Sequence, residues 1–363
     1  MERPLTGFGW QRLMLQWPVR LTGENVAAYV CRLIAYGLGL TGFTVLLGGI
    51  VIISLMMPAA SPGNAEAVLF AVPAGSTAAD IGRALEEAGL IRSARHFELV
   101  SRLMGLDQRL QAGDYLLSAD MNLLSIVRQL EAGKIYTVRV TIPEGMHLRQ
   151  IADLLARHGL VDRARFLQLA SDDTLVYGNN PPIDKPVRSL EGYLFPDTYL
   201  LSPSMTEEQI IRRMVSRFLE VAGPVIQSKE APLGLSMHEV VTLASIVEAE
   251  ALYQREKPII ASVFLNRLRI NMPLQADPTI NYLFDEHRSR ILYADLEIDS
   301  PYNTYRYSGL PPGPIGSPGL SAIRAVLEPA ETDYLFFVAR GDGTHVFTRT
   351  FAEHVRARQR LRR

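Results

Sequence analysis

The strongest chemical signal in the chain is a carboxylate placed where a carboxylate is expensive. From Ser236 the sequence reads SMHEVVTLASIVEAE, and Ser236 with Glu239 makes a capping box that predicts a helix from Met237. On such a helix Val240, Ala244, Val247 and Glu248 share one face, so Glu248 ends an apolar stripe. Desolvation there disfavours the ionised form, which leaves a Glu protonated near neutral pH and able to hand a proton to a leaving group. Glu250 falls about 200° further round the helix and reads as the solvated member, not as half of a paired acid. The structural alternative for Glu248 is a carboxylate neutralised by a core arginine such as Arg267.

Asp277, in Gln275-Ala276-Asp277-Pro278, is the best spare carboxylate. If it lay near Glu248 a hydrolytic pair would be possible; otherwise it reads as a helix N-cap or Asx turn ahead of Pro278. Glu191, Tyr193, Gln275, Asn303 and Tyr305 combine hydrogen-bonding tips with ring faces, the equipment of a carbohydrate cleft. Each could equally be structural, and Tyr193, followed by Leu194 and Phe195, also reads as a core tyrosine. Residues 309–319 hold four Pro and four Gly, a shaped loop or a plain surface connection. His345 and His354 have no metal-ligand spacing partner, and no phosphate loop or Ser-His-Asp order stands out. No metal and no cofactor are expected.

The elements that must position these residues begin with a long apolar run. Residues 33–57 carry no charge over 25 positions, roughly 37 Å of helix against a bilayer core of about 30 Å. A cleaved signal peptide would have a shorter apolar stretch. Arg3, Arg12, Arg20 and Arg32 precede the run with only Glu2 and Glu24, so the N-terminus is expected in the cytoplasm and everything after residue 58 outside it. Lys plus Arg number 37 against 38 Asp plus Glu, which leaves no basic field for nucleic acid. Cys31 is the single cysteine and can form no internal disulfide.

A repeat organises the rest. Val72-Pro73-Ala74-Gly75, Asp80-Ile81, Leu85, Gly89-Leu90 and Phe97 return as Ile142-Pro143-Glu144-Gly145, Gln150-Ile151, Leu155, Gly159-Leu160 and Phe166. Each copy predicts a strand, a Pro-x-Gly turn, an amphipathic helix and a Gly cap. Tyr115-Leu116-Leu117-Ser118 matches Tyr199-Leu200-Leu201-Ser202 at a wider offset, so extra residues are expected near 174–189, beside the cleft. The units resemble LysM modules, which bind N-acetylglucosamine polymers. The expected fold class is α+β: a tail at 1–32, a transmembrane helix at 33–57, a linker at 58–67, a LysM-like module at 68–136, and a catalytic domain at 137–363 that begins with the second copy.

Four ordered blocks carry a wider resemblance: Glu191-Gly192-Tyr193-Leu194-Phe195-Pro196-Asp197, Ala244-Ser245-Ile246-Val247-Glu248 with Phe264-Leu265-Asn266-Arg267-Leu268, Leu274-Gln275-Ala276-Asp277-Pro278-Thr279, and Tyr302-Asn303-Thr304-Tyr305 with Gly309-Leu310-Pro311-Pro312-Gly313. Over about residues 30–355 the chain resembles the MltG or YceG-like endolytic murein transglycosylases. The resemblance implies a lyase that cleaves the MurNAc-GlcNAc bond within nascent glycan strands and leaves 1,6-anhydro ends. It also implies Glu248 as the catalytic acid and base, the inner membrane as location, and peptidoglycan synthases and penicillin-binding proteins as partners. A muramidase-type hydrolase and a non-catalytic peptidoglycan-binding scaffold are the alternatives.

Overall fold

The computed structural model describes residues 23–361 apart from 62, 64 and 287. Arg3, Arg12 and Arg20, on which the orientation of the apolar helix rests, lie outside the described residues. That helix is α1 (Gly23–Met56), and its segment Ala27–Ile50 is long and apolar enough to cross a membrane.

The two repeat copies have the same element order. The first runs β1 (Ala67–Val72), α2 (Ala78–Glu87), α3 (Ala94–Leu103), β2 (Gly113–Ser118) and α4 (Leu123–Glu131), with β1 paired to β2. The second runs β3 (Val138–Thr141), α5 (Leu148–Arg157), α6 (Arg163–Ser171), the short α7 (Thr174–Tyr177), β4 (Thr198–Leu201) and α8 (Glu207–Val221). β3 and β4 are antiparallel, with Val138 opposite Leu201 and Thr141 opposite Thr198.

Local chemistry explains the match. Gly75 and Gly145 turn at φ +82° and +80°, a conformation that costs glycine nothing. Capping boxes then start the helices, Thr77 with Asp80 in α2 and His147 with Gln150 in α5. Both helices close through a Gly with the next residue's N–H reaching back, Leu90 to Leu85 and Leu160 to Leu155, the Schellman arrangement. Phe97 and Phe166 are fully buried at equivalent positions. The extra residues of the second copy form α7 and the loop after it, tied by the buried Lys185–Asp173 ion pair at 2.5 Å.

After the short α9 (Gly223–Gln227), the chain enters α10 (Met237–Glu250), which begins at the expected Ser236–Glu239 capping box. The single apolar stripe does not hold. Every residue from His238 to Val247 except the half-buried Glu239 is fully buried, so α10 is a central helix rather than an amphipathic one. It packs on α11 (Lys257–Arg269), α12 (Asp277–Asn281) and α13 (Leu320–Leu327). The chain ends in the hairpin β5 (Phe336–Ala339) and β6 (His345–Thr348), turned at the expected Gly341–Gly343, and in α14 (Phe351–Leu361).

The proline- and glycine-rich segment 309–319 is neither a binding loop nor a surface connection, but a strap that is mostly buried. Ile315 N–H donates to Ser245 Oγ at 3.0 Å. Gly145 N–H donates to Ser317 O, and Ser317 N–H to Met146 O, both at 2.8 Å. The strap therefore clips the Pro-Glu-Gly turn of the second repeat to α10 through Ser245.

Candidate active site

Two carboxylates two residues apart end α10, and the structure sends them to opposite fates. Glu248 Oε1 accepts from Lys257 Nζ at 2.7 Å, and Glu248 Oε2 accepts from Gly319 N–H at 3.0 Å. Their side chains are 9% and 3% exposed. Lys257 also donates to Ser321 Oγ at 2.8 Å and lies 3.7 Å from Glu144 Oε2. Glu248 is thus a charge neutralised on the spot, which removes the argument that an unpaired carboxylate on an apolar face must hold its proton. The partner is Lys257, not Arg267. Arg267 spends its donors on the carbonyls of Leu335 and Leu274, at 2.7 and 2.6 Å.

Glu250 is the corrected case. It is not solvated. It lines a cleft of about 700 Å³ with Arg267, Gln275, Asp277, Tyr305, Phe336, Phe337, His345, Phe351, His354 and Arg358. Burial first, and then the negative charge of Asp277, push its carboxyl up to about 8 against a partial opposing pull from Arg267. Its place on the last residue of α10, the negative end of the helix dipole, acts in the same direction. Among the described residues no ion pair forms to it.

The candidate sugar-binding residues divide in the same way. Gln275, Asp277 and Tyr305 stand in the cleft with Glu250. Asp277 is neither an N-cap nor an Asx turn: it is the first residue of α12, without a side-chain cap, and its Oδ1 accepts from Tyr305 O–H. Burial and that bond to Asp277 raise the Tyr305 pKa and keep the phenol neutral. Gln275 holds φ +49°, and its N–H donates to Thr304 O at 3.0 Å. The other three lie elsewhere. Tyr193 is fully buried and donates to His238 Nδ1 at 2.8 Å, while His238 Nε2 donates to Pro312 O at 2.8 Å. Asn303, also fully buried, ties a turn by donating to Leu296 O and Ile298 O.

Glu191 is buried beneath the start of α5, accepting from Leu148 N–H at 3.1 Å and Tyr282 O–H at 3.1 Å. Burial pushes its carboxyl up to about 7 despite those donors. The extra residues of the second repeat do not line the cleft. Among the described residues no group of three or more His, Cys, Asp or Glu is disposed to hold a metal ion.

Residue type and spacing do not single out Lys257, Phe336, Phe351 or Arg358, and weigh His354 only as a metal ligand. Lys257 opens α11 seven residues after Glu250, and the others come from the hairpin and α14, which only tertiary folding brings together.

A carboxyl pushed up to about 8 at the end of a buried helix, facing an aromatic and polar cleft, is the kind of group that can serve as a general acid. The chain belongs to the YceG-like family, whose model matches residues 70–360. It is 36% identical over 304 residues to an endolytic murein transglycosylase of Bacillus subtilis, covering 80% of this chain and 83% of that one. A Streptococcus pneumoniae protein of the same name is 33% identical over 330 residues, and this chain spans 59% of its length. The crystal structure of a yceG-like protein from Listeria monocytogenes, 36% identical, superposes with a TM-score of 0.53 over 81% of this chain and 100% of that one.

Proposed function

We propose that this chain is a membrane-anchored endolytic murein transglycosylase, the activity for which its Bacillus and Streptococcus relatives are named, and that Glu250 rather than Glu248 is its acid and base. The observation that carries the reading is the state of Glu250: a carboxyl pushed up to about 8, facing the cleft beside Asp277 and, among the described residues, in no ion pair. Glu250 protonates the glycosidic oxygen as it leaves C1 of MurNAc. As carboxylate it then takes the proton of the C6 hydroxyl, whose oxygen closes on C1 to give the 1,6-anhydro ring. The proton given equals the proton taken, and no water enters. Asp277 supports the first step by keeping the proton on Glu250, and Tyr305 holds Asp277 in place.

The one feature favouring a hydrolase is Asp277 itself, a second carboxylate in the same cleft that could activate water. The full chain incubated with uncross-linked glycan separates the two: products lighter by one water than the corresponding reducing-end fragments support the transglycosylase, and reducing-end products alone would establish hydrolysis. A bare binding scaffold gives no reason to strand a carboxyl in this state.

The reading has α1 crossing the inner membrane with the rest of the chain outside the cytoplasm, within reach of the synthases and penicillin-binding proteins that make the strands. A reporter fused after Arg363 should be active outside the cytoplasm; activity inside would reverse the topology. We propose LysM-like glycan contact for the repeat units on their sequence resemblance, with a purely scaffolding role for the first copy as the alternative.

A further inference from the structure

The wall of the cleft contributed by α14 is built from rings that no fold requirement explains. Phe351 is 66% exposed although it is the first residue of the helix, and none of residues 351–361 is fully buried. An exposed Phe is unremarkable when it stands alone. This one does not. The rings of Phe336 and His354 lie 5.9 and 6.3 Å from it, and Phe336 and His354 are 5.6 Å apart, so three rings form one patch. The Phe351–His354 planes differ by 28°, the Phe336–His354 planes by 34° and the Phe336–Phe351 planes by 58°, so the surface turns step by step from ring to ring, with His354 between the two Phe orientations. The Arg267 guanidinium sits 5.3 Å from the Phe336 centroid and also acts on Glu250, which links the patch to the acid.

The patch is also held still. Arg349 N–H and Thr350 N–H both donate to Glu353 Oε2, and Glu353 N–H donates back to Thr350 Oγ1, a capping box that fixes the start of α14 and therefore the direction of Phe351. His354 supplies a polar atom in the same place: its Nδ1 is buried with no hydrogen-bond partner among the described residues. Burial, with the charges of Arg358 and Arg267, holds the His354 pKa down, so the imidazole is neutral.

A fixed apolar face edged by an unused polar nitrogen and by Arg358 and Gln275 does not fit a dry protein interface. It fits a pyranose, which offers one face of C–H groups and a rim of hydroxyls and amides. We propose that Phe351, Phe336 and His354 form a sugar-stacking subsite that takes one pyranose of the glycan strand, with His354 Nδ1 bonded to a hydroxyl or N-acetyl group, and so lays the strand across Glu250. The proposal rests on the transglycosylase reading above, because it assigns the strand as ligand.

The test uses the full chain with uncross-linked glycan strands, and a Glu250→Gln background in which binding is followed without turnover. Phe351→Ala should raise KM about 3- to 10-fold, with a smaller change in kcat. It should weaken binding in the Glu250→Gln background by a similar factor. Phe351→Tyr should restore both, and Phe351→Leu should not, since an aliphatic side chain has no flat face. Leu292→Ala, at a 52% exposed position that does not line the cleft, controls for loss of exposed apolar area. If Phe351→Ala matches the native chain in KM and binding, or Leu serves as well as Tyr, the subsite is wrong while the transglycosylase reading stands. If the native chain neither binds nor cleaves glycan, both fall together.

Discussion

The two ends of the Glu248–Glu250 pair differ in what each carboxylate finds when it leaves α10. On one side Glu248 meets Lys257 and the Gly319 N–H, and its charge is fully answered. On the other, two residues later, Glu250 meets Asp277, an arginine committed to carbonyls, and an open cleft. The contrast teaches that burial alone does not make an acid. Burial with a partner makes a structural tie; burial without one makes a group that holds its proton at neutral pH.

The comparison breaks most sharply at Glu250. Glu250→Gln should keep the fold and lose about 10²–10⁴-fold in kcat, measured as release of anhydro products. Native turnover in a folded Glu250→Gln chain would return the chemistry to Glu248. Glu248→Gln and Lys257→Met should act through stability instead, each stranding a buried charge at a cost of about 3–5 kcal/mol in denaturant unfolding. The double variant should cost less than the two singles added together. Additive losses would mean that the pair is not a tie.

Glu191 offers a third buried carboxyl without chemistry. Its folded pKa, about 7, lies above the ordinary 4.5. Its contribution to stability is therefore fully present below about 4.5 and lost as pH rises through 7, a swing of about 3 kcal/mol. Glu191→Gln should flatten the fall in Tm over that window without moving the acid's titration; an unchanged Tm profile would show that Glu191 ionises freely. The smallest effect is the most specific. The alkaline limb of kcat/KM should fall through about 8 as Glu250 loses its proton, and Asp277→Asn should move that limb to lower pH by removing the like charge. A limb that stays put would uncouple the two carboxyls.

Much of this was legible because local chemistry is written locally. The Pro-x-Gly turns, Gly caps and capping boxes of both repeats depend on residues within a few positions of one another, and so does the start of α10. Its surroundings do not. Thr242 Oγ1 donates to His238 O and Ser245 Oγ to Thr242 O. These hydroxyls are satisfied by the helix itself and can be buried, so periodicity gave α10 a wet side that it lacks. The helical spacing puts Glu250 in water, where the fold does not. Gln275 and Tyr305 share their hydrogen-bonding chemistry with Glu191, Tyr193 and Asn303, and residue type does not show that the first two join Asp277 in the cleft while the other three turn inward. The rings of α14 meet the cleft only through tertiary folding of a separate hairpin.

The pairing of Glu248 with Lys257 has a mechanical consequence. Apolar contacts alone would leave the rotation of α10 about its own axis weakly fixed, because Val, Ile, Leu and Ala exchange places at small energetic difference. The hydrogen bonds of His238 and Ser245 resist a turn from further up the helix. One buried ion pair removes that degeneracy, since any turn of the axis would leave two charges without partners. It works as an indexing pin: the angle it sets at Glu248 is carried two residues along the same rigid rod, and so fixes the bearing on which Glu250 faces its substrate.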